Sequence, residues 1–328
     1  MKYAKDTRPK GVANKAAEVL VEALPWIKNI TGKTVVIKYG GSAMVDEQLR
    51  ADVMNDIVLL KIVGVNPVIV HGGGKAITEA MDFLQLPVEF KDGQRVTTPE
   101  AMDLVRTVLM GKVNQELVEA LNEHGNFAVG VSGADAGVIV AEQASPELGR
   151  VGRITRINSP LLDDLVAGDY IPVVASVALG EDGGFYNVNA DMVAGHIAAA
   201  IGAHKVVFLT DVDGLYENFE NKDSLISNLT LFEAQYMVEN NIVSTGMIPK
   251  LKSCIHALDS GVFRAHIING ITPHSLLLEL LTSTGVGTTM HSTEESCTFD
   301  THPLGNFASK LLENRQHAAS ATPNNKSF

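Results

Sequence analysis

Lysines, glycines and an aspartate set at the ends of apolar runs are the residues of this chain with the most to offer chemistry. "VVIKYGGS" (35–42) places Lys38 ahead of Gly40 and Gly41, and "VIVHGGGK" (68–75) places Gly73 and Gly74 ahead of Lys75. Glycines there let the backbone approach an anion closely, and a helix that follows adds its unpaired N–H groups. One such pair fits any tight strand-to-helix turn; two on successive strands point to phosphate. Lys38 stands on the wrong side of its glycines for a P-loop, whose lysine follows them. Taken alone, Lys38 reads best as a strand-end lysine reaching to solvent. Lys250, in "STGMIPKLKSC", taken alone reads as a solvated lysine at the head of a helix. Phosphoryl transfer needs positive charge on the moving group and little covalent chemistry, so two lysines closing on one phosphate would serve it.

Other candidates keep two readings each. Asp191, in "NVNADMVAG", is either an acid favoured by a helix N-terminus or an ion-pair partner that holds the lysines. Asn187 and Asn189 are turn residues or donors to an amide-bearing substrate. Arg95, in "GQRVT", is a surface cation or a planar fork for a carboxylate. Two stretches are decoys. "TGKT" (31–34) has Ile27 where a P-loop needs its first glycine, and it precedes a strand. "GVSGADAG" (130–137) has neither the spacing of a dinucleotide fingerprint nor a long helix after it.

The elements that must position these residues follow from pattern. "TVVIKY" (34–39), "NPVIVH" (66–71) and "KVVFLT" (205–210) are short, continuous and rich in β-branched residues, as parallel strands covered on both faces are. The helical spacing in "EQLRADVMNDIVLLKIVG" completes a βαβ unit between the first two. The class is α/β, with helices on both sides of an open sheet. "VEFKDGQRVTT" (88–98) and "LGEDGGFYNVN" (179–189) read as hairpins. Residues 98–125 read as one long helix, with Pro99 in its first turn and Gly125 just past its end. Residues 12–30 read as an amphipathic helix, packed on its own domain or reaching to another subunit. A second α/β portion runs from about residue 203 to 290, so a boundary is expected near Gly202. From His291 on, the polar, irregular composition predicts a mostly disordered tail.

Composition narrows the function. The chain has 328 residues, 45% hydrophobic, with a net charge of −12 and no basic block, which argues against nucleic acid as a partner. Its two cysteines, Cys254 and Cys297, have no metal-ligand spacing and fit a reducing cytoplasm. The start lacks the apolar region of a signal peptide, and no apolar run approaches the roughly 18 residues of a membrane span.

"VVIKYGGSAM", "VIVHGGGKAI", "GQRVT", "NVNAD", "FLTDVDGLY" and "TGMIPKL", in that order over about residues 15–290, resemble the N-acetylglutamate kinases of the amino acid kinase superfamily. The resemblance implies a three-layer αβα sandwich around a mainly parallel eight-stranded sheet, plus an N-terminal helix. It implies ATP-dependent phosphorylation of the side-chain carboxylate of N-acetyl-L-glutamate, the second step of arginine biosynthesis, with Mg²⁺ on the phosphates. By the same likeness, residues 1–31 form an oligomerisation helix, 32–202 bind the acyl amino acid and dimerise, and 203–290 bind ATP.

Lys38 and Lys250 match lysines that stabilise the transition state, and Asp191 matches the acid that organises them. Gly40 and Gly41 match glycines on the transferring phosphate. Gly73, Gly74, Arg95 and Asn187 match substrate positions. The nucleotide is expected near "TDVDGLY" and "GMIPK", at Thr210, Asp211, Asp213 and Gly246. The helix at 12–30 is similar to those that link dimers into a hexamer, a trimer of dimers, in arginine-inhibited relatives; the matching arginine site would include Glu279 and Gly285. His71 and Tyr39 are expected to be structural. Lys75 departs from the family, many members of which have proline there. The alternatives are another carboxylate kinase of the superfamily and a non-catalytic arginine sensor on the same fold. A sensor has no need of Lys38, Asp191 and Lys250 together.

Overall fold

The computed structural model describes residues 10–44, 46–91, 93–283 and 285–292. Residues 1–9 of the expected N-terminal segment and 293–328 of the expected disordered tail lie outside the described residues.

Helix α1 (Lys10–Ile30) leads into β1 (Thr34–Tyr39), α2 (Glu47–Ile62), β2 (Asn66–His71) and α3 (Gly74–Phe83). The hairpin β3 (Phe90–Lys91) and β4 (Gln94–Arg95) follows, antiparallel as expected for 88–98. Next come α4 (Pro99–Val108) and α5 (Gln115–Asn122), joined without a break by a π-helical turn, Leu109–Asn114. The long helix foreseen at 98–125 is therefore present, started by Thr98, whose hydroxyl accepts from Ala101 N at 3.2 Å, but it carries a π insertion. That insertion buries Asn114, whose Nδ2 donates to the Val173 carbonyl at 2.8 Å.

The middle of the chain contributes β5 (Ala128–Ser132), β6 (Ile139–Gln143), β7 (Gly152–Ile157), α6 (Pro160–Ala167), β8 (Ile171–Ala175), β9 (Val177–Gly180), β10 (Phe185–Asn187) and α7 (Ala190–Ala200). The remainder is β11 (Lys205–Thr210), β12 (Asn228–Thr230), α8 (Leu231–Glu239), α9 (Ile248–Asp259), β13 (Arg264–Asn269), α10 (Ser275–Leu281) and β14 (Thr288–His291).

Eight strands form the central sheet in the order β12-β14-β13-β11-β1-β2-β8-β5. All neighbours are parallel except β13 and β14. A second sheet, β10-β9-β6-β7, rides above it, and the hairpin expected at 179–189 is its β9-β10 pair. β1 lies beside β2 and β11, with Lys38 opposite Val70 and Phe208. The two glycine turns thus open side by side at the carboxyl edge, where open α/β sheets bind ligands. The sheet is continuous across Gly202.

Alternate residues of the central strands enter two separate cores. Val35, Ile37 and Tyr39 face the layer that holds α2, α4, α5 and α10. Val36, with Val206 and Phe208 of β11, faces the layer that holds α7, α8 and α9. Burial on both faces is why these strands read as unbroken apolar runs. Each fully buried aliphatic side chain contributes about 1.5–3 kcal/mol relative to exposure. In α1, Ile30 is buried, and Trp26 and Ile27 pack on the first core; Val19, Leu20, Val21 and Leu24 are exposed.

Candidate active site

The centre of the site is one buried carboxylate between two ammonium groups. Asn189 caps α7, its Oδ1 accepting from Asp191 N at 2.8 Å and Met192 N at 3.2 Å, which puts Asp191 in the first helical turn. Lys38 Nζ, delivered by β1, stands 3.0 Å from Asp191 Oδ1. Lys250 Nζ, from the first turn of α9, donates to Oδ2 at 3.2 Å. The side chains are 11%, 17% and 8% exposed for Lys38, Lys250 and Asp191, so solvent screens these contacts weakly. Burial pushes the Asp191 carboxyl up, and the Lys38 and Lys250 charges outweigh it and hold the group below its usual range. Two ammonium groups flank one carboxylate, a net positive charge of the kind that suits an anionic ligand.

Close packing of α7 on α9 fixes this geometry. A Cβ on Gly195 would stand 2.3 Å from Ser253 Oγ and 2.6 Å from the Ser253 carbonyl oxygen. Ser253 Oγ donates to the Asp191 carbonyl. The rings of His196 and His256 stack between the same helices, 4.0 Å apart.

The two glycines after β1 are needed for different reasons. A Cβ on Gly40 would come within 2.9 Å of Lys38 Nζ. Gly41 has φ +77°, where a side chain strains the backbone, and open space around it. After β2, Gly73 caps α3 without a side-chain bond, so the first N–H groups of α3 are not taken by a cap. A Cβ there would meet Leu109 Cδ2 at 2.6 Å, in the π-helical turn. Gly41, Gly73 and Gly74 open into a cleft of about 960 Å³, which Lys75, Lys112 and Ile271 also line.

Arg95 and Asn187 join this region through the hairpin. Arg95 Nη2 donates to the Gly74 carbonyl at 2.9 Å and to Thr78 Oγ1 at 2.6 Å, and the guanidinium lies 4.7 Å over the Phe90 ring. Burial lowers its pKa from the usual arginine value. Asn187 Nδ2 donates to Thr97 Oγ1 at 3.2 Å, and that hydroxyl donates to the Arg95 carbonyl at 3.1 Å. Thr97 was not singled out from the sequence; its place inside "GQRVT" was the available signal. Asn114 was also missed. Its Nδ2 lies 3.0 Å from His71 Nε2, and His71 Nδ1 lies 3.0 Å from the Gly72 carbonyl. Burial lowers the His71 pKa to about 4, so a neutral ring braces the second glycine turn, a structural role. Tyr39 is fully buried in the core.

Thr210 ends β11, its hydroxyl donating to Asp211 Oδ1 at 3.2 Å. Asp213 accepts from Tyr216 Oη at 2.5 Å and Asn269 Nδ2 at 2.8 Å, and these bonds hold its carboxyl below the usual range. These residues sit at the carboxyl edge, while Gly246 lies in the turn before α9 with open space around it. Glu279 and Gly285 meet elsewhere, beside the amino-terminal half of β13: a Cβ on Gly285 would stand 3.1 Å from Glu279 Oε2. Cys254 is buried in α9, where desolvation pushes its thiol up, so it is no nucleophile. Cys297 lies outside the described residues.

Comparison with known proteins bears on the chain as a whole. Residues 33–269 match the model of the amino acid kinase family. The acetylglutamate kinase of Caldanaerobacter subterraneus subsp. tengcongensis is 51% identical over 274 residues, 83% of this chain and 92% of that protein. That of Halothermothrix orenii is 48% identical over 277 residues, 83% of this chain and 96% of that protein. Among solved structures, N-acetylglutamate synthase from Neisseria gonorrhoeae, complexed with coenzyme A and N-acetyl-glutamate, superposes with a TM-score of 0.74 at 23% identity. The match covers 84% of this chain and 63% of that one, a likeness of fold alone.

Proposed function

As the chain belongs to the acetylglutamate kinases of the amino acid kinase family, and so phosphorylates N-acetylglutamate with ATP in arginine biosynthesis, we propose how its residues divide that work. The observation that carries the proposal is that Lys38 and Lys250, from separate parts of the chain, share the two oxygens of Asp191.

The substrate carboxylate is ionised at neutral pH and needs no general base. Its obstacle is repulsion from the triphosphate and the cost of alignment. A carboxylate oxygen attacks the γ-phosphorus as the bond to the leaving ADP oxygen breaks. Lys38 and Lys250 neutralise the equatorial and bridging oxygens as charge spreads over them. Asp191 holds both ammonium groups in place and takes no proton. Gly40 and Gly41 offer backbone N–H groups to the moving phosphoryl group. Gly73 and Gly74 present the head of α3, while Arg95 and Asn187 hold the carboxylate and acetamide of the acyl amino acid. Residues 32–202 carry that substrate and 203–290 carry ATP, near Thr210, Asp211, Asp213 and Gly246. Both oxygens of Asp191 face lysines, so a Mg²⁺ ion would be held mainly by the nucleotide phosphates and would supply further charge neutralisation there.

Assembly and control extend the same reading. The exposed apolar residues Val19, Leu20, Val21 and Leu24 of α1 suit exchange with a second copy across a two-fold axis, which links dimers into a hexamer. Arginine acts as inhibitor at a site that includes Glu279 and Gly285. Among the described residues no helix is long and apolar enough to cross a membrane, and the working compartment we propose is the cytoplasm. Deletion of residues 1–30 should yield dimers, and a persistent hexamer would remove α1 as the linker. Unchanged activity in millimolar arginine would end the regulatory assignment. The reaction itself is tested by trapping the acyl phosphate with hydroxylamine, comparing acetylglutamate with glutamate, aspartate and carbamate. Product is expected with acetylglutamate, and its absence would contradict the reading.

A further inference from the structure

We propose that Asp56 and His274 form a second tie between the two portions of the chain, a positioning pair that sets how the 203–290 portion closes on the glycine turn of β1. The proposal rests on the assignment of ATP to residues 203–290 made above.

Asp56 is an unusual residue for its place. It lies midway along α2, among Val53, Met54, Ile57 and Leu60 of the first core, and its side chain is 2% exposed. A carboxylate buried in such company persists only where other groups compensate it. Its Oδ1 lies 2.7 Å from His274 Nδ1, on the far portion of the chain. The nearby backbone N–H of Leu277 helps to lower the carboxyl's proton affinity, while Asp56 Oδ2 makes no hydrogen bond among the described residues. Leu277 is the third residue of α10. His274, which precedes α10, makes no side-chain cap bond of its own.

His274 has φ 57°, a left-handed conformation that strains a residue other than glycine. Neighbouring structure must hold it there, and the bond to Asp56 is part of that hold. Three residues earlier, Ile271 lines the same cleft as Gly41 and Met44 of the glycine turn. The tie thus anchors a loop that borders the reacting region. It also lies on the opposite face of the sheet from Asp191 and Lys250, because α2 and α10 share the first core and α7 and α9 the second. A sheet continuous between β1 and β11 is then bridged on one face by Lys250 with Asp191, and on the other by His274 with Asp56.

Among the described residues, the charges that act on His274 are those of Asp56 and of Asp52, one turn earlier on α2, and both raise its proton affinity. Glu279, the charged group of α10, is turned onto His266 and Thr289. Burial raises Asp56 to about 6. The tie is charged between that value and the raised value of His274, and it weakens as pH rises and the imidazolium loses its proton.

The test uses the full-length protein with Asp56→Asn, His274→Asn and the double variant. His274 is more than half exposed, and asparagine tolerates the left-handed backbone, so the second variant keeps the test open if the first fails to fold. Each single variant should lower kcat/KM for ATP at least fivefold at pH 7 and leave KM for acetylglutamate within twofold. The double variant should be no worse than the poorer single. As pH rises through the raised pKa of His274 the wild type should lose kcat/KM for ATP, and the His274→Asn variant should be flatter. Lowered melting temperatures with unchanged kcat and KM values would show packing alone and overturn the proposal. Hydrogen exchange with a non-hydrolysable ATP analogue separates the two layers of inference. Slowed exchange within 203–290 supports the ATP assignment, whereas slowing confined to 32–202 would overturn that assignment and the tie with it.

Discussion

Asp191 and Glu279 are both buried carboxylates held below their usual pKa range, yet their partners differ in kind. Asp191 faces two lysine ammonium groups on flexible stems. Glu279 is held by fixed donors: His266 Nδ1 at 2.7 Å, Thr289 Oγ1 at 2.9 Å, and the backbone N–H groups of Val286 at 2.7 Å and Gly287 at 3.2 Å. Burial raises the Glu279 carboxyl, but the His266 bond and the rest of this set bring it down to about 2. The lysines can turn part of their charge toward an incoming phosphate while keeping the carboxylate as anchor. The donors around Glu279 have nowhere else to turn. Burial and pKa alone do not distinguish a site that acts from one that holds; the freedom of the partners does.

Substitution should separate the two. Asp191→Asn should lower kcat by about 10³ with modest loss of stability, because the lysines lose the group that orients them. Glu279→Gln should do the reverse. Its folded pKa of about 2, against 4.5 for the free group, stabilises the protein fully above pH 4.5 and is lost as pH falls toward 2. About 3 kcal/mol should disappear at neutral pH, with turnover in the absence of arginine kept within tenfold. Denaturant titrations and steady-state kinetics on both variants check the split, and equal losses in both properties would erase the contrast.

The glycines sharpen it on a smaller scale. Gly40→Ala should cut kcat by about tenfold or more while the melting temperature holds, because the new Cβ displaces the end of Lys38. Gly41→Ala should cost about 1–2 kcal/mol of stability through its left-handed backbone. If thermal melting showed Gly40→Ala as the more destabilising, Lys38 would be more rigidly held than its partners imply.

Much of the scaffold was legible because its strands are covered on both faces. The runs at 34–39, 66–71 and 205–210 are β1, β2 and β11 to the residue. β6 and β7 escaped notice because β7 is half-exposed and the turn between them is polar and irregular. The π-helical turn has no local signature; it exists so that Asn114 can reach Val173 and His71, both remote in sequence. The same limit applies to the site. Glycine turns and a helix-start aspartate show in the sequence, but the meeting of Lys38 with Lys250 depends on β1 lying beside β11, and only the family resemblance suggested it. Asp56 and His274 gave no signal, since each looks ordinary without the other.

The central claim is that two lysines held by one carboxylate stabilise the transferring phosphoryl group. Its most direct test is steady-state acyl phosphate formation by Lys38→Ala, with acetylglutamate and ATP each varied. In that variant kcat should fall by several orders of magnitude, with much smaller changes in either KM. Near-normal turnover would contradict the claim.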